Sequence, residues 1–329
     1  MQLKESSPAK QDRGHGTRQF PDTAGPKPAN GCQADGLREG GESACCCLSQ
    51  RNKTEAPSAG GGAHSWVRLV HTAFFGLLVI EIAFVWMSLW LPSMASVFGH
   101  WPEALFLITA TTITLTSLAR ELPSQNALLA GGSLALAGLG LESLNAATGV
   151  PYGSIVFMPQ GGVLLFHALP WCTPLLWVLI LLNARGVARF LLASARTNPN
   201  YGFYVLGLTS LLVIWFDLSF QTFAVQVAHY WKWTSESGHS GWLQVPWHVL
   251  LSRGLAALVT LGLVTPVLIN KKPATKPLLV FPVMLWSLLL LFLSTATAVR
   301  GLWAAFGITL GQIILLAAFV WHRTRGEQA

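Results

Sequence analysis

Charged residues are scarce in this sequence. Asp, Glu, Lys and Arg make up 11% of its 329 residues, against about 25% in typical soluble globular proteins. This scarcity excludes an ordinary soluble enzyme, and the mean hydropathy of +0.49 indicates a membrane protein. The motifs GxSxG, GxGxxG, HExxH and the P-loop are also absent, so nothing points to the chemistry of soluble enzymes. No metal site is predicted, because the paired histidines lack a matching third ligand.

The first 65 residues differ in composition from the rest of the chain. Residues 1–65 carry 8 Lys or Arg and 7 Asp or Glu but a single aromatic residue, Phe20. Because such a segment buries too little apolar surface to offset the entropy lost on ordering, we expect a disordered tail. It also lacks the apolar core of a secretory signal. Four of the five cysteines lie here. We interpret them as incidental thiols, with palmitoylation of Cys45–Cys47 as an alternative.

From Trp66 onward, long apolar runs alternate with short polar breaks. A membrane-spanning helix requires about 20 predominantly apolar residues. Eight runs are candidates, at 66–91, 103–119, 127–147, 161–183, 201–228, 244–269, 277–299 and 302–321. The run 103–119 is the shortest of them. The sequence therefore predicts an all-α, polytopic transmembrane helical bundle of seven or eight spans over residues 66–321, followed by a short cytoplasmic tail, 322–329.

Basic residues mark alternate connections between the predicted spans. They are Arg51, Lys53, Arg68, Arg120, Arg185, Arg189, Arg196, Lys271, Lys272, Lys276, Arg323 and Arg325. The other connections hold only Lys232 and Arg300. Because basic loops stay on the cytoplasmic side, both termini are predicted to be cytoplasmic. The net charge of +7 is then a topology signal, so no nucleic-acid partner is expected. We expect an integral protein of a bacterial cell (inner) membrane.

Ionisable residues inside the predicted spans are the first candidates for a functional site, because charge within a membrane is costly. The ionisable residues are Glu81, Glu142, Asp217 and Arg253, joined by the neutral polar residues His167, Gln221 and His248. By the predicted orientation, they lie between the bilayer centre and the outer face. Three acids against one arginine leave at least one carboxyl group without a basic partner. A buried, protonated carboxyl group is a proton donor.

The same polar groups also have structural interpretations. Arg253 can form an ion pair with one acid, and we assign Arg253 and Glu81 to a supporting role as such a pair. Glu81 can instead hydrogen-bond to a neighbouring helix while protonated. His167 on an apolar helix is more often a satisfied core residue. Trp residues in a membrane protein are mostly interfacial anchors.

A longer pattern begins at Glu142. The stretch ESLNAATGVPYG, from Glu142 to Gly153, is followed by LPWCTPLLW, from Leu169 to Trp177. This spacing resembles the carotenoid biosynthesis protein family, the membrane carotenoid hydratases that act on γ-carotene or bisanhydrobacterioruberin. The positions that carry the resemblance are Glu142, Thr148, Gly149, Pro151, Tyr152, Gly153, Pro170, Trp171, Pro174, Leu175 and Trp177.

The second half of the chain follows the family pattern less closely. Asp217, the WKW of residues 231–233 and Val245-Pro246 are kept. The Asp-Pro pair of the family reads Thr222-Phe223 here. The family Asn reads Val249, with His248 beside it.

The resemblance implies acid-catalysed hydration of the terminal double bond of an acyclic carotenoid end group, with no cofactor and no metal. Glu142 or Asp217 is the expected general acid, the other orients water, and His248 is a stand-in polar partner. The expected substrate-binding residues are Thr148, Gly149, Pro151, Tyr152, Gly153, Trp171, Trp177, Trp231 and Trp233, with Gln221 in support. The expected partners are a lipid-soluble polyene, membrane lipid and other enzymes of carotenoid biosynthesis. The TGVPYG stretch is a candidate wall or lid of the pocket, or an ordinary interfacial turn.

Two rival functions use the same residues. A proton-coupled transporter would employ the intramembrane acids, although the sequence shows no internal repeat. A non-catalytic carotenoid- or lipid-binding relative would explain the replaced Asp-Pro and Asn positions. A different transformation of an isoprenoid end group is a related alternative.

Overall fold

The chain is described here by a computed structural model that covers residues 61–91, 101–165, 168–234, 241–269 and 280–326. These residues form eight α-helices: α1 Gly61–Trp90, α2 Trp101–Glu121, α3 Ser124–Thr148, α4 Thr173–Leu191, α5 Tyr201–Thr222, α6 Trp247–Leu268, α7 Val280–Val299 and α8 Trp303–Gly326. Most of the predicted tail, including its four cysteines, lies outside the described residues. Helix α1 begins at Gly61, five residues before the predicted first span.

Each of the eight helices contains a segment that is long and apolar enough to cross a membrane. Helices satisfy their own backbone hydrogen bonds, which is what a hydrocarbon environment demands. The prediction of an all-α transmembrane bundle is confirmed, and the short second run, 103–119, is a full helix, Trp101–Glu121. The chain is therefore an integral membrane protein.

The fourth span begins later than the sequence predicted. The predicted run started at residue 161, whereas α4 begins at Thr173. The described residues of this stretch, 155–165 and 168–170, instead form short strands and a 3₁₀ turn, Pro159–Gly161. The reason is local chemistry, because Pro159, Gly161, Gly162 and Pro170 all disfavour a continuous helix.

Helix α4 lies at the centre of the bundle, where it packs against α2, α3, α5 and α7. Most of its residues from Trp177 to Phe190 are buried. Close approach of α3 to α4 occurs at Gly138. A Cβ atom built there would lie 2.3 Å from Cγ of Trp177, so the absence of a side chain lets the indole lie against the α3 backbone.

Short strands form in the α3–α4 and α5–α6 connections at one end of the bundle. They are β1 Ile155–Phe157, β2 Leu164–Leu165, β3 Leu169–Pro170, β4 Trp231–Trp233, β5 Gly241–Trp242 and β6 Val245–Pro246. Strand β1 from the α3–α4 connection pairs antiparallel with β4 from the α5–α6 connection. The pairs β2–β3 and β5–β6 close local hairpins. We call this side the strand end. The distribution of basic residues predicts that this end faces the outer side of the membrane.

Candidate functional site

A cluster of three charged side chains joins α3, α5 and α6. Nη1 of Arg253 donates a hydrogen bond to Oε1 of Glu142 over 2.7 Å, and its Nε donates to Oδ2 of Asp217 over 2.9 Å. Asp217 is 1% exposed and Glu142 is 6% exposed. We call Glu142, Asp217 and Arg253 the Arg253 cluster. It differs from the expected pairing of Arg253 with Glu81, because the two donor nitrogens reach Glu142 and Asp217 instead.

Two aromatic rings surround the guanidinium of Arg253. Its Cζ lies 5.3 Å from the ring centre of Tyr152 and 5.7 Å from that of Trp177, both within the range of cation–π attraction. The indole Nε1 of Trp177 also donates to Oε1 of Glu142 over 3.2 Å. Buried charged groups need hydrogen bonds and other contacts in addition to their ion pairs, because burial removes them from water. The cluster is thus fixed by rings from two separate segments as well as by its own ion pairs.

Asn145 holds the loop after α3 in place. Its Oδ1 accepts a hydrogen bond from the backbone N–H of Tyr152 over 2.8 Å, and its Nδ2 donates to the carbonyl of Gly153 over 3.1 Å. Gly149 ends the helix with φ of 73°, a left-handed conformation that favours glycine. The peptide bond between Val150 and Pro151 is cis.

His248 contacts the same loop from α6. Its Nε2 lies 3.0 Å from the carbonyl oxygen of Tyr152. Since a carbonyl oxygen can only accept, Nε2 carries the hydrogen in this contact. The hydroxyl of Thr148 donates to the carbonyl of Leu144 within its own helix. The TGVPYG loop thus contacts α6 at His248, and the Tyr152 ring contacts the guanidinium of Arg253.

A small cavity lies beside the Arg253 cluster. Its volume is about 10 Å³, and its walls include Asp217, Arg253, Trp177 and Ile180. This volume is close to the roughly 10–15 Å³ that one water molecule requires. Oδ1 of Asp217 is buried and has no hydrogen-bond partner among the described residues. The cavity thus has the size and the polar wall that a single water molecule needs.

A much larger and mainly apolar cavity lies towards the strand end, between α2, α4, α5 and α7. Its volume is about 160 Å³. Eight of its lining side chains are aromatic, among them Trp171, Phe216 and Trp231. Ile180 lines this cavity as well as the small one. We call it the aromatic cavity. Its shape and lining are typical of a site for an apolar ligand.

Glu103 and Tyr230 form a polar pair on the wall of the aromatic cavity. The hydroxyl of Tyr230 donates to Oε2 of Glu103 over 2.5 Å. Glu103 lies in the first turn of α2, and Tyr230 precedes β4. Burial raises the pKa of Tyr230 well above its ordinary value, and the neighbouring Glu103 carboxyl raises it further. The phenol therefore keeps its proton at neutral pH and remains a donor.

Cys172 also lines the aromatic cavity. Burial raises the pKa of its thiol to about 11. Because the thiolate is the reactive form, this cysteine is not a nucleophile at neutral pH. Its position agrees with a packing role.

The remaining predicted residues are distributed over several places. Trp171 and Trp231 line the aromatic cavity, whereas Trp177 lines the small one. Trp233 lies in β4. Gln221 accepts a hydrogen bond from Nε1 of Trp231 over 3.2 Å.

Glu81 is buried away from these contacts, where its Oε1 accepts a hydrogen bond from Thr109 over 2.9 Å. This is the contact with a neighbouring helix that the sequence offered as an alternative. His167 lies outside the described residues.

Sequence reasoning missed Glu103, Tyr230 and Asn145. Glu103 follows Pro102 and is the first residue of the predicted second span, so it is not among the ionisable residues assigned to the interior of the spans. The available signal was an acid in the first turn of an otherwise apolar helix. Within the described residues no group of three or more His, Cys, Asp or Glu side chains is placed to hold a metal ion.

Comparison with known proteins identifies the family of this chain. The family model described as carotenoid biosynthesis protein matches residues 99–316. No curated protein and no solved structure matches the chain. The matched range takes in helices α2 to α7, the Arg253 cluster, the small cavity and every described lining residue of the aromatic cavity except Val85. The chain therefore belongs to the carotenoid biosynthesis protein family.

Proposed function

We propose that this chain is a membrane hydratase that adds water to the terminal C=C bond of an acyclic carotenoid end group. The observation that carries this proposal is the aromatic cavity, an apolar space with eight aromatic side chains and a carboxyl group in its wall. Such a cavity suits an end group that passes through a carbocation. The membership of the family supports a lipid-soluble polyene as the substrate.

The reaction places three demands on the site. A proton adds to the less substituted carbon of the double bond, which leaves a tertiary carbocation. Water then bonds to that carbon, and the product is a tertiary alcohol. The site must supply an acid, a water molecule and walls that tolerate positive charge. Aromatic faces meet the last demand because their quadrupoles attract cations.

The Arg253 cluster supports the reaction by holding water. Oδ1 of Asp217 is an unused acceptor on a cavity of the size of one water molecule. The side chain of Ile180 lines both cavities, so this water lies next to the aromatic cavity. We therefore assign Asp217 to orienting water, and Glu142 to fixing Arg253 and Trp177. The sequence-based role of Glu142 or Asp217 as the proton donor is tested by their amide variants.

Only the end group of the polyene needs to enter the protein. A carotenoid is far longer than a cavity of about 160 Å³ can hold, so the remainder of the chain stays in the bilayer. The substrate then reaches the site from lipid, and the product leaves the same way. We propose the bacterial cell membrane as the location, with other carotenoid biosynthesis enzymes supplying the substrate.

Expression in a bacterial host that accumulates lycopene or γ-carotene tests the proposal. Chromatography and mass spectrometry of the pigments should show a product heavier by one water with an unchanged chromophore, because the hydrated bond lies outside the conjugated system. Unchanged pigment, in cells where the protein is shown to be in the membrane, contradicts the proposal. Pigment that copurifies without conversion would instead identify a non-catalytic binding protein.

A further inference from the structure

The wall of the aromatic cavity includes a carboxyl group, which a bound end group would contact. Glu103 is an acidic residue on the cavity wall, whereas Glu142 and Asp217 are absent from the described residues that line this cavity. Both of those carboxyl groups are bound by Arg253. A general acid must lie within hydrogen-bond reach of the atom that it protonates. Glu103 therefore lies where an acid could protonate a ligand in the aromatic cavity, whereas Glu142 and Asp217 do not.

Tyr230 fixes the orientation of the Glu103 carboxyl. The hydrogen bond of 2.5 Å joins residues 127 positions apart in the sequence. Ring contacts of Tyr230 with Phe223 and Trp231, with centroids 6.1 and 6.0 Å apart, hold the phenol in turn. Since the phenol keeps its proton, it donates to Oε2 throughout a reaction cycle. This arrangement is that of an acid and the residue that positions it.

We propose that Glu103 is the catalytic acid and base of the hydration reaction, with Tyr230 as its positioning residue. The inference rests on the proposed function. The Glu103 carboxyl gives its proton to the less substituted carbon, and the π electrons form the new C–H bond. Water bonds to the tertiary carbocation, and the resulting oxonium returns a proton to the Glu103 carboxylate. The balance is the addition of one water molecule, with no oxidation or reduction and with Glu103 regenerated.

The Arg253 cluster is then a positioning element of the same site. Its guanidinium offsets negative charge on the two carboxyl groups that it binds. The Glu142 carboxyl also accepts the hydrogen bond from Trp177, which lies on the wall of the small cavity. A water molecule bound beside Asp217 would lie across Ile180 from the aromatic cavity, where the carbocation forms. Proton transfer and water supply thus belong to different side chains.

Conversion by purified protein in liposomes that contain lycopene tests the role of Glu103. In Glu103→Gln, kcat should fall by roughly 10²- to 10⁴-fold, the usual contribution of general acid–base catalysis, while lycopene still copurifies with the protein. Glu103→Asp keeps the carboxyl group and should recover part of the activity. The matched control is Glu121→Gln on the same helix, whose partner is Arg189. It should convert at the wild-type rate.

Tyr230→Phe separates positioning from general packing. It removes the hydroxyl and keeps the ring, so pigment binding and KM should stay near the wild-type values. The kcat should fall, and the pH profile of kcat should move, because the carboxyl loses its donor. A Tyr230 that serves packing alone would leave the pH profile in place, and that result would overturn its role.

The outcomes distinguish this inference from the proposed function. Wild-type conversion together with wild-type activity of Glu103→Gln overturns the role of Glu103 and leaves the hydratase proposal standing. Absence of a hydrated product with wild-type protein overturns both. If Glu103→Gln does not accumulate, Glu103→Leu takes its place because it also lacks the carboxyl group, and an unchanged kcat in that variant overturns the inference.

Discussion

The guanidinium of Arg253 on α6 and the carboxylate of Asp217 on α5 are joined by a hydrogen bond of 2.9 Å inside the membrane domain. Asp217 is 1% exposed, so its charge is shielded from bulk water. A second carboxyl group, that of Glu142, occupies another nitrogen of the same guanidinium. One cation thus links three helices, α3, α5 and α6.

Removal of Arg253 should therefore destabilise the protein strongly. Arg253→Gln leaves two buried carboxyl groups without their cation, and breaking a buried ion pair costs about 3–5 kcal/mol. The free energy of unfolding in detergent measures the effect. Arg300→Gln, at an exposed position, is the control and should match the wild type. If Arg253→Gln were as stable as this control, the Arg253 cluster would not contribute to the stability of the fold.

Asn145 should be needed for the loop that carries Tyr152. Asn145→Ala removes two side-chain hydrogen bonds and leaves the buried N–H of Tyr152 without its acceptor. An orphaned buried group costs about 1–3 kcal/mol, so we expect a loss of stability of that order and a lower kcat. Asn126→Ala, near the start of the same helix, removes only one long contact of 3.4 Å to Val267. A similar loss of stability in both variants would show that the hydrogen bonds of Asn145 do not hold the loop in place.

The contact of Gly138 with Trp177 should be sensitive to a single methyl group. In Gly138→Ala the new Cβ would meet the indole at 2.3 Å, and overpacking typically costs about 1–3 kcal/mol. Displacement of Trp177 also weakens its hydrogen bond to Glu142. Gly140→Ala on the same helix is the matched control, because its Cβ would meet nothing within 4 Å. Thermal unfolding of the two variants should separate them, and equal midpoints would show that the α3–α4 contact is loose.

The aromatic lining should contribute to the rate through its charge distribution. Cation–π attraction is worth about 0.5–2 kcal/mol, so Trp231→Leu should lower kcat by roughly 2- to 30-fold. Trp231→Phe keeps an aromatic face and should lose less. Trp303→Leu, at a position that is 69% exposed, should convert as the wild type does. Equal rates for the Leu and Phe variants at 231 would remove the electrostatic explanation.

The helices were predictable because the bilayer makes their signal local. A run of about 20 apolar residues is visible in the sequence itself, and all eight predicted spans have a counterpart in the structure. The boundary of α4 was wrong because hydropathy does not register the glycines and prolines of residues 159–170. The composition of that segment remains apolar, although its described residues do not form an α-helix.

The sequence selects candidate site residues by their predicted depth in the membrane, and it does not report which of them are in contact. Glu142 and Arg253 are 111 positions apart, and no spacing rule reports which acid an arginine will reach across a bundle. The sequence therefore suggested Glu81 as a partner with equal justification. Glu103 was missed for a related reason. The cavity that it lines is formed together with Tyr230, which is 127 positions away in the sequence. Pairing between helices is a property of the packed fold.

The most direct measurement follows the source of the added oxygen. Purified wild-type protein in liposomes that contain lycopene is incubated in water labelled with heavy oxygen, and the product is analysed by mass spectrometry. The account predicts a tertiary alcohol that carries the label from water, formed without an added cofactor. A product whose oxygen is unlabelled, or the recovery of lycopene alone, would contradict hydration as the function of this protein.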